Sequence, residues 1–335
     1  MVSRFASLVC FKLPSLRAAA GALGILAAAT GTIRCAPAHT PNTANESRAL
    51  TEVANAPPAP EPAAAPEPSP LKELPRGGRT LFPTYRLVGY CGTPGAPALG
   101  ALDSNLPVKA KALETRAAQF AGDRKVLPVF ELIAVVVEGA PGVDGKYRNR
   151  VKNEVVDEYL RAAREAKALL LLNIQPGQSD FITELALLEP YLEEPDVGVA
   201  LDPEWAMHPK QRPGLFWGQT TGETINEVAE MLSGIVKRLN LPEKALVFHE
   251  VVKGVVKNER AIVTHPGVAL IKSVDGLGAP NAKIATYGNL MGVKTKGVHA
   301  GFKLFFDEDT RGGSHLMGPH DVLALQPRPE YVMFE

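Results

Sequence analysis

The chain has 335 residues, 45% of them apolar and 21% charged, the composition of a folded protein and not of a disordered or fibrous one. Its 36 Lys and Arg balance 36 Asp and Glu, so no overall basic field exists to hold a polyanion, and this argues against nucleic acid as a partner. The three cysteines, Cys10, Cys35 and Cys91, cannot build a disulfide framework. No Cys/His spacing suits a zinc site, so neither a metal nor another cofactor is expected.

Residues 1–35 read as an export signal. Arg4, Lys12 and Arg17 precede an apolar run over residues 18–33, and no acidic residue lies among the first 17. The run is short for a membrane span of ~20 residues, although an uncleaved signal anchor is a further reading. Two processing routes stay open. Ala36-Pro37-Ala38 has the small-x-small pattern of a cleavage site, and Cys35 stands where a lipid-modified cysteine would. The protein is expected to be exported, either secreted or lipid-anchored to the cell envelope, with membrane contact only through this N-terminal anchor. Residues 36–78 form a spacer: between residues 36 and 75 there are 10 Pro and 10 Ala, with no apolar periodicity. Proline fixes φ and removes donors, so this stretch is read as an extended, solvated linker.

Residues 79–335 are close to the ~250 of a (β/α)₈ barrel. Apolar, β-rich runs occur at 86–90, 126–133, 169–174, 197–201, 245–249, 268–274, 301–306 and 331–334. Several are hydrophobic throughout, as in parallel strands covered on both faces. Helical periodicity appears at 110–120, 153–167 and 223–239. Thr220-Thr221-Gly222-Glu223 has the capping-box spacing at the start of the last of these. Shorter helices are expected at 287–291 and 319–325. Alternating strands and helices give a parallel sheet, and eight strands in this length give the fold class: α/β, a single (β/α)₈ TIM-type barrel behind a signal segment and a Pro/Ala-rich linker. The competing open doubly wound sheet lacks a G-x-G-x-x-G after its first strand.

Chemistry in such a barrel sits at the C-terminal ends of the strands, and polar residues recur there: Tyr90, Glu131, Asn173 and Gln175, Asp202 and Glu204, His249, Lys303 and Asp307. Side chains alternate along a strand, so Asp202 and Glu204 are expected to share a face ~6.8 Å apart. Two carboxyls so close raise one another's proton affinity, which lets one serve as a general acid. Trp205 and Trp217 lie in the connection that follows, and indole faces beside carboxyls suit a sugar ring. His249 reads as a general base, a metal ligand or a hydrogen-bonded structural residue. Lys303 is expected to pair with Glu131 or Asp307, or to bind a substrate anion. Asp307 is either the second carboxylate of the site or part of a solvated acidic loop. Cys91, with no activating neighbour, reads as a packed thiol.

Asp202-Pro203-Glu204 at the end of strand four resembles the glycoside hydrolases of the chitinase and secreted muramidase types. The resemblance implies Glu204 as proton donor and Asp202 as its support. The chitinase pattern has a further Asp where this chain has Ala200. Sugar-cleaving barrels also commonly carry Glu at strand seven, where this chain offers Asp307. The leading reading is an exported glycoside hydrolase acting on an envelope or environmental polysaccharide. In it, Glu204, Asp202 and Asp307 are catalytic, while Tyr90, Glu131, Asn173, Gln175, Trp205, Trp217, His249 and Lys303 bind substrate. Two alternatives are a carbohydrate-binding barrel without turnover and a metal-assisted hydrolase or lyase holding an ion on Glu131, Asp202, His249 and Asp307.

Overall fold

A computed structural model describes residues 72–335. The expected export signal, Cys35 and most of the expected Pro/Ala spacer lie outside the described residues. Eight parallel strands close into a ring: β1 (Tyr85–Gly92), β2 (Lys125–Val137), β3 (Leu169–Ile174), β4 (Val197–Leu201), β5 (Lys244–Glu250), β6 (Val268–Val274), β7 (His299–Leu304) and β8 (Tyr331–Phe334). β1 pairs with both β2 and β8, with Leu87 opposite Leu127 on one side and Tyr331 on the other, so no parallel edge stays open. The helices between strands are α1 (Leu106–Ala118), α2 (Asn153–Glu165), α3 (Phe181–Ala186), α4 (Glu189–Leu192), α5 (Gly222–Leu239), α6 (Pro280–Met291) and α7 (Pro319–Ala324). This is an α/β barrel of the TIM type. Only the β5–β6 connection lacks an α-helix, having instead a 3₁₀ turn at Glu259–Ala261.

The runs expected at 169–174, 197–201, 268–274 and 331–334 coincide with β3, β4, β6 and β8. β2 continues four residues past Ile133, bulges between Ile133 and Val135, and pairs antiparallel with Arg148–Arg150. α1 and α6 begin earlier than periodicity suggests because Pro107 and Pro280 occupy their first turns, where a missing N–H costs nothing. α5 starts on Thr221, one residue beyond the expected cap: its hydroxyl accepts from Thr224 N at 3.2 Å, and Glu223 instead accepts from the Asn258 side chain.

Alternation sorts each strand into two cores. Leu87, Val129, Leu171, Ala200, Val247, Ile271 and Met333 point into the barrel. Val88, Phe130, Leu172, Val199, Phe248, Phe302 and Val332 point out against the helices. The interior is full: a Cβ on Gly89 would lie 2.6 Å from both Met333 Cε and the Val129 carbonyl. The floor is closed by Leu74, Leu81 and Tyr85, whose hydroxyl donates to the Arg76 and Gly77 carbonyls. Packing therefore begins ahead of Arg79.

Beside the connection without a helix, the outer face of β6 carries a buried charge. Lys272 Nζ donates to both oxygens of Glu259 and to the Leu290 carbonyl, each at 2.8 Å, and lies 2.6 Å from Glu250 Oε2. The cation gathers two carboxylates and the end of α6 onto one point. Lys272→Met keeps the volume but leaves both acids without a partner, an arrangement that costs about 3–5 kcal/mol. A large drop in the urea midpoint is the expected result. A variant within about 1 kcal/mol of the parent would show that the cluster contributes little.

Candidate active site

At the C-terminal rim the interior turns from apolar to polar. Glu131 on β2, Asn173 on β3, His249 on β5, Ser273 on β6, Lys303 on β7 and Tyr331 on β8 all point inward and are buried. Just past the strand ends lie Gln175, Asp202, Asp275 and Glu335. Asn173 Nδ2 joins two strands, donating to Glu131 Oε1 at 2.9 Å and Asp202 Oδ1 at 3.0 Å. Gln175 Nε2 donates to the other oxygen of Asp202 at 3.0 Å, and its own Oε1 accepts from Val137 N. Asp202 is thus held by two amides on both oxygens. The Tyr331 hydroxyl donates to Glu131 Oε2.

Two cations sit among these acids. His249 Nδ1 lies 2.9 Å from Asp275 Oδ2, and Nε2 lies 3.2 Å from Glu131 Oε1. The second contact is off the line of the N–H, so it is charge attraction more than a formed hydrogen bond. Lys303 Nζ is 2.5 Å from Glu335 Oε2 and 3.4 Å from Asp275 Oδ2. Ser273 Oγ donates to Asp275 Oδ1 at 2.8 Å. Burial by itself would raise the Glu131 carboxyl, but His249, Lys303 and the Tyr331 hydroxyl bring it down to about 2. Burial likewise acts to raise Asp275, and His249, Lys303 and Ser273 draw it down to about 2. His249 behaves oppositely: burial would lower it, but Asp275 and Glu131 hold it well above the usual histidine range, as an imidazolium. Burial pushes the Cys91 thiol up, leaving it inert.

Glu204 has no such partner. It sits in a 3₁₀ turn, Pro203–Trp205, that begins as soon as β4 ends at Leu201, with Trp205 N donating to the Asp202 carbonyl. Asp202 and Glu204 therefore do not share a strand face as expected: the strand stops before either of them. The pair still interacts. Glu204 is buried, its Oε2 has no hydrogen-bond partner, and burial followed by the negative charges of Asp202 and Asp275 raises its carboxyl well above the ordinary range. Asp202 is raised by burial too, against the pull of His249 and Lys303. Two amide N–H groups favour the ionised form of Asp202, so of the two carboxyls Glu204 is the more strongly raised. The turn is pinned from above: Gly218 N donates to the Glu204 carbonyl at 2.6 Å, and a Cβ on Gly218 would lie 2.6 Å from backbone atoms of Ala206.

The structure brings together Glu131, Asn173, Gln175, Asp202, Glu204, His249 and Lys303. Trp205 and Trp217 lie above them in the loop after β4, their ring centroids 6.5 Å apart. Two expected members are elsewhere. Tyr90 has the wrong parity: it faces outward, packs edge-on against Phe306 and Phe334, and accepts from Arg116 Nε at 3.0 Å. Asp307 is exposed beyond the end of β7. The buried acid of that loop is Asp309, which lies 2.9 Å from Lys283 and accepts from the Phe305 and Gly278 amides. Lys303 accordingly pairs with Glu335 and Asp275, not with Glu131 or Asp307. The four-residue metal set does not assemble, because Asp307 is outside and both nitrogens of His249 face acids. Among the described residues no group of three or more His, Cys, Asp or Glu is placed to hold an ion. Asp275, Glu335 and Tyr331 are members that strand alternation could have found, two and four positions from other inward residues.

The chain matches no protein-family model, and no curated protein matches it.

His249 separates two acids, so removing it should be felt as stability. His249→Gln strands Glu131 and Asp275, costing about 3 kcal/mol or more near neutral pH. Both acids have depressed pKa values, so the stabilisation they contribute is full above the ordinary carboxylate range and fades as pH falls towards about 2. The difference between parent and variant is expected to shrink between about pH 5 and pH 2 in chemical denaturation. A pH-independent difference would contradict this electrostatic account.

Proposed function

We propose that the chain is an exported glycoside hydrolase in which Glu204 protonates the glycosidic oxygen and Asp202 stabilises the positive charge that develops, or an N-acetyl group that takes part. The observation that carries this reading is Glu204: a buried carboxyl, its proton affinity raised by burial and by Asp202, with Oε2 unpartnered, directly before Trp205 and beneath a loop that holds Trp217. A general acid needs that state near neutral pH. The paired ions below serve as a fixed floor: Glu131 and Asp275 stay charged, and Asn173 and Gln175 hold Asp202 in place. The substrate class is a polysaccharide of the cell envelope or environment, bound against the two indoles.

Glu204→Gln preserves shape and removes the proton donor. On a substrate with a poor leaving group its kcat is expected to fall about 10²–10⁴-fold while oligosaccharide binding by calorimetry persists. Unchanged turnover would rule Glu204 out. The pH profile tests the pair. Activity needs Glu204 protonated and is lost as pH rises through its elevated pKa; it needs Asp202 ionised and is lost as pH falls. Asp202→Asn removes one of the charges that raise Glu204, so the alkaline limb of the residual activity is expected to move to lower pH. A limb that stays in place would assign it to another group.

A second reading, a sugar-binding barrel without turnover, is favoured by the closure of the interior, since Glu131, Asn173 and His249 have no exposed surface. Calorimetry beside a reducing-sugar assay separates the two, because binding without product release selects the non-catalytic barrel.

A further inference from the structure

The loop between Glu204 and α5 exposes more apolar surface than Trp217, the one part of its tip that the proposed chemistry uses. Its tip holds Leu215, Phe216 and Trp217 in succession, 70%, 54% and 40% exposed. Among the described residues no other stretch exposes large apolar side chains consecutively. Single exposed apolar residues are ordinary, whereas contiguous ones mark a contact surface. The tip is presented on a built support: Met207 N donates to the Gly177 carbonyl at 2.7 Å, Gln219 N to the Ala206 carbonyl at 2.9 Å, and Gln178 Nε2 to the Gln211 carbonyl at 2.8 Å. Leu215 N closes a turn on the Arg212 carbonyl at 3.2 Å.

The other side of that turn is basic. His208, Lys210 and Arg212 alternate, and all three are exposed. None of them forms an ion pair among the described residues, whereas Arg76, Arg164 and Arg238 on other surfaces each hold a carboxylate. Residues 205–222 contain no Asp or Glu; Glu204 and Glu223 flank them. Unpaired cations beside an aliphatic and aromatic tip are complementary to an anionic bilayer surface: acyl chains accept Leu, Phe and Trp alike, and phosphates accept Lys and Arg. A sugar would stack on the indoles but has no use for Leu215, which offers no ring face.

We propose that residues 208–217 dock the rim of the barrel onto an anionic lipid surface, with Leu215 and Phe216 entering the acyl boundary and Lys210 and Arg212 against headgroup phosphates. The inference goes beyond the reaction proposed above and does not rest on it.

The test uses a property of the chain: Trp205 and Trp217 are its two tryptophans, so indole emission reports on this loop whatever the N-terminal segment does. The full-length protein is mixed with vesicles of phosphatidylcholine and phosphatidylglycerol bearing brominated acyl chains, which quench only indoles that enter the bilayer. Quenching with a blue shift is expected. The apparent vesicle affinity read by quenching should fall about thirtyfold in K210Q/R212Q at low salt, and quenching should be lost in L215S/F216S, which keeps both indoles. Co-sedimentation with vesicles without quenching would place the membrane contact elsewhere and overturn the proposal. Equal quenching by vesicles of phosphatidylcholine alone would overturn the anionic headgroup. An emission change with soluble oligosaccharides but not with vesicles would make the tip a glycan surface instead.

Discussion

Inside a closed barrel an ionised carboxylate needs a positive neighbour, and the rim of this one supplies two, His249 and Lys303. Five carboxyls share them: Glu131, Asp202, Glu204, Asp275 and Glu335. Glu131 and Asp275 lie against the histidine and Asp275 also nears the lysine, so both stay ionised at little cost. Glu335 faces Lys303 and is still raised by its burial. Burial first, and then repulsion from the negative charge left over on Asp202 and Asp275, raises proton affinity at the acid with the fewest donors, which is Glu204. The proton there belongs to the balance of the whole ring more than to any one side chain.

The same rule governs the outer shell. Lys272 is wholly buried because Glu250, Glu259 and the last turn of α6 converge on it where the barrel wall has no helix of its own. Lys283 is buried on α6 with Asp309 and two carbonyls. Arg86, on the outer face of β1, is satisfied by the carbonyls of Phe120, Ala121 and Pro329. In each case a cation joins segments that apolar packing alone would leave without a fixed mutual position.

How much of this was legible in the sequence depends on whether the signal was local. A strand such as Val197–Leu201 is an apolar run bounded by Asp196 and Asp202, so its limits follow from composition. Polarity at strand ends marked Glu131, Asn173, His249 and Lys303 correctly as rim residues. Parity, applied strictly, would have moved Tyr90 to the outer face, since Leu87, Gly89 and Cys91 take the inner one. It would also have added Asp275, two beyond Ser273, and Glu335, two beyond Met333. Asp307 was misplaced because β7 ends at Leu304 and the chain turns over 306–310, whereas Asp275 and Glu335 directly follow the last residues of their strands. The partners of Lys303 depend on how β6, β7 and β8 are staggered, and no single strand encodes that stagger. The Asp202–Glu204 pair was found for its spacing, but a turn and not a pleat brings the two together.

β8 completes both the sheet and the polar ring, because it hydrogen-bonds to β1 and β7 and carries Tyr331 and Glu335 to Glu131 and Lys303. A partly assembled cylinder would desolvate some of these ions before their counterparts arrive, and would be less favourable than either the open chain or the finished ring. Such a penalty thins out the intermediates between the two. In this protein the electrostatics of the rim therefore tie the docking of β8 to completion of the ring, a pairing of segments far apart in the chain.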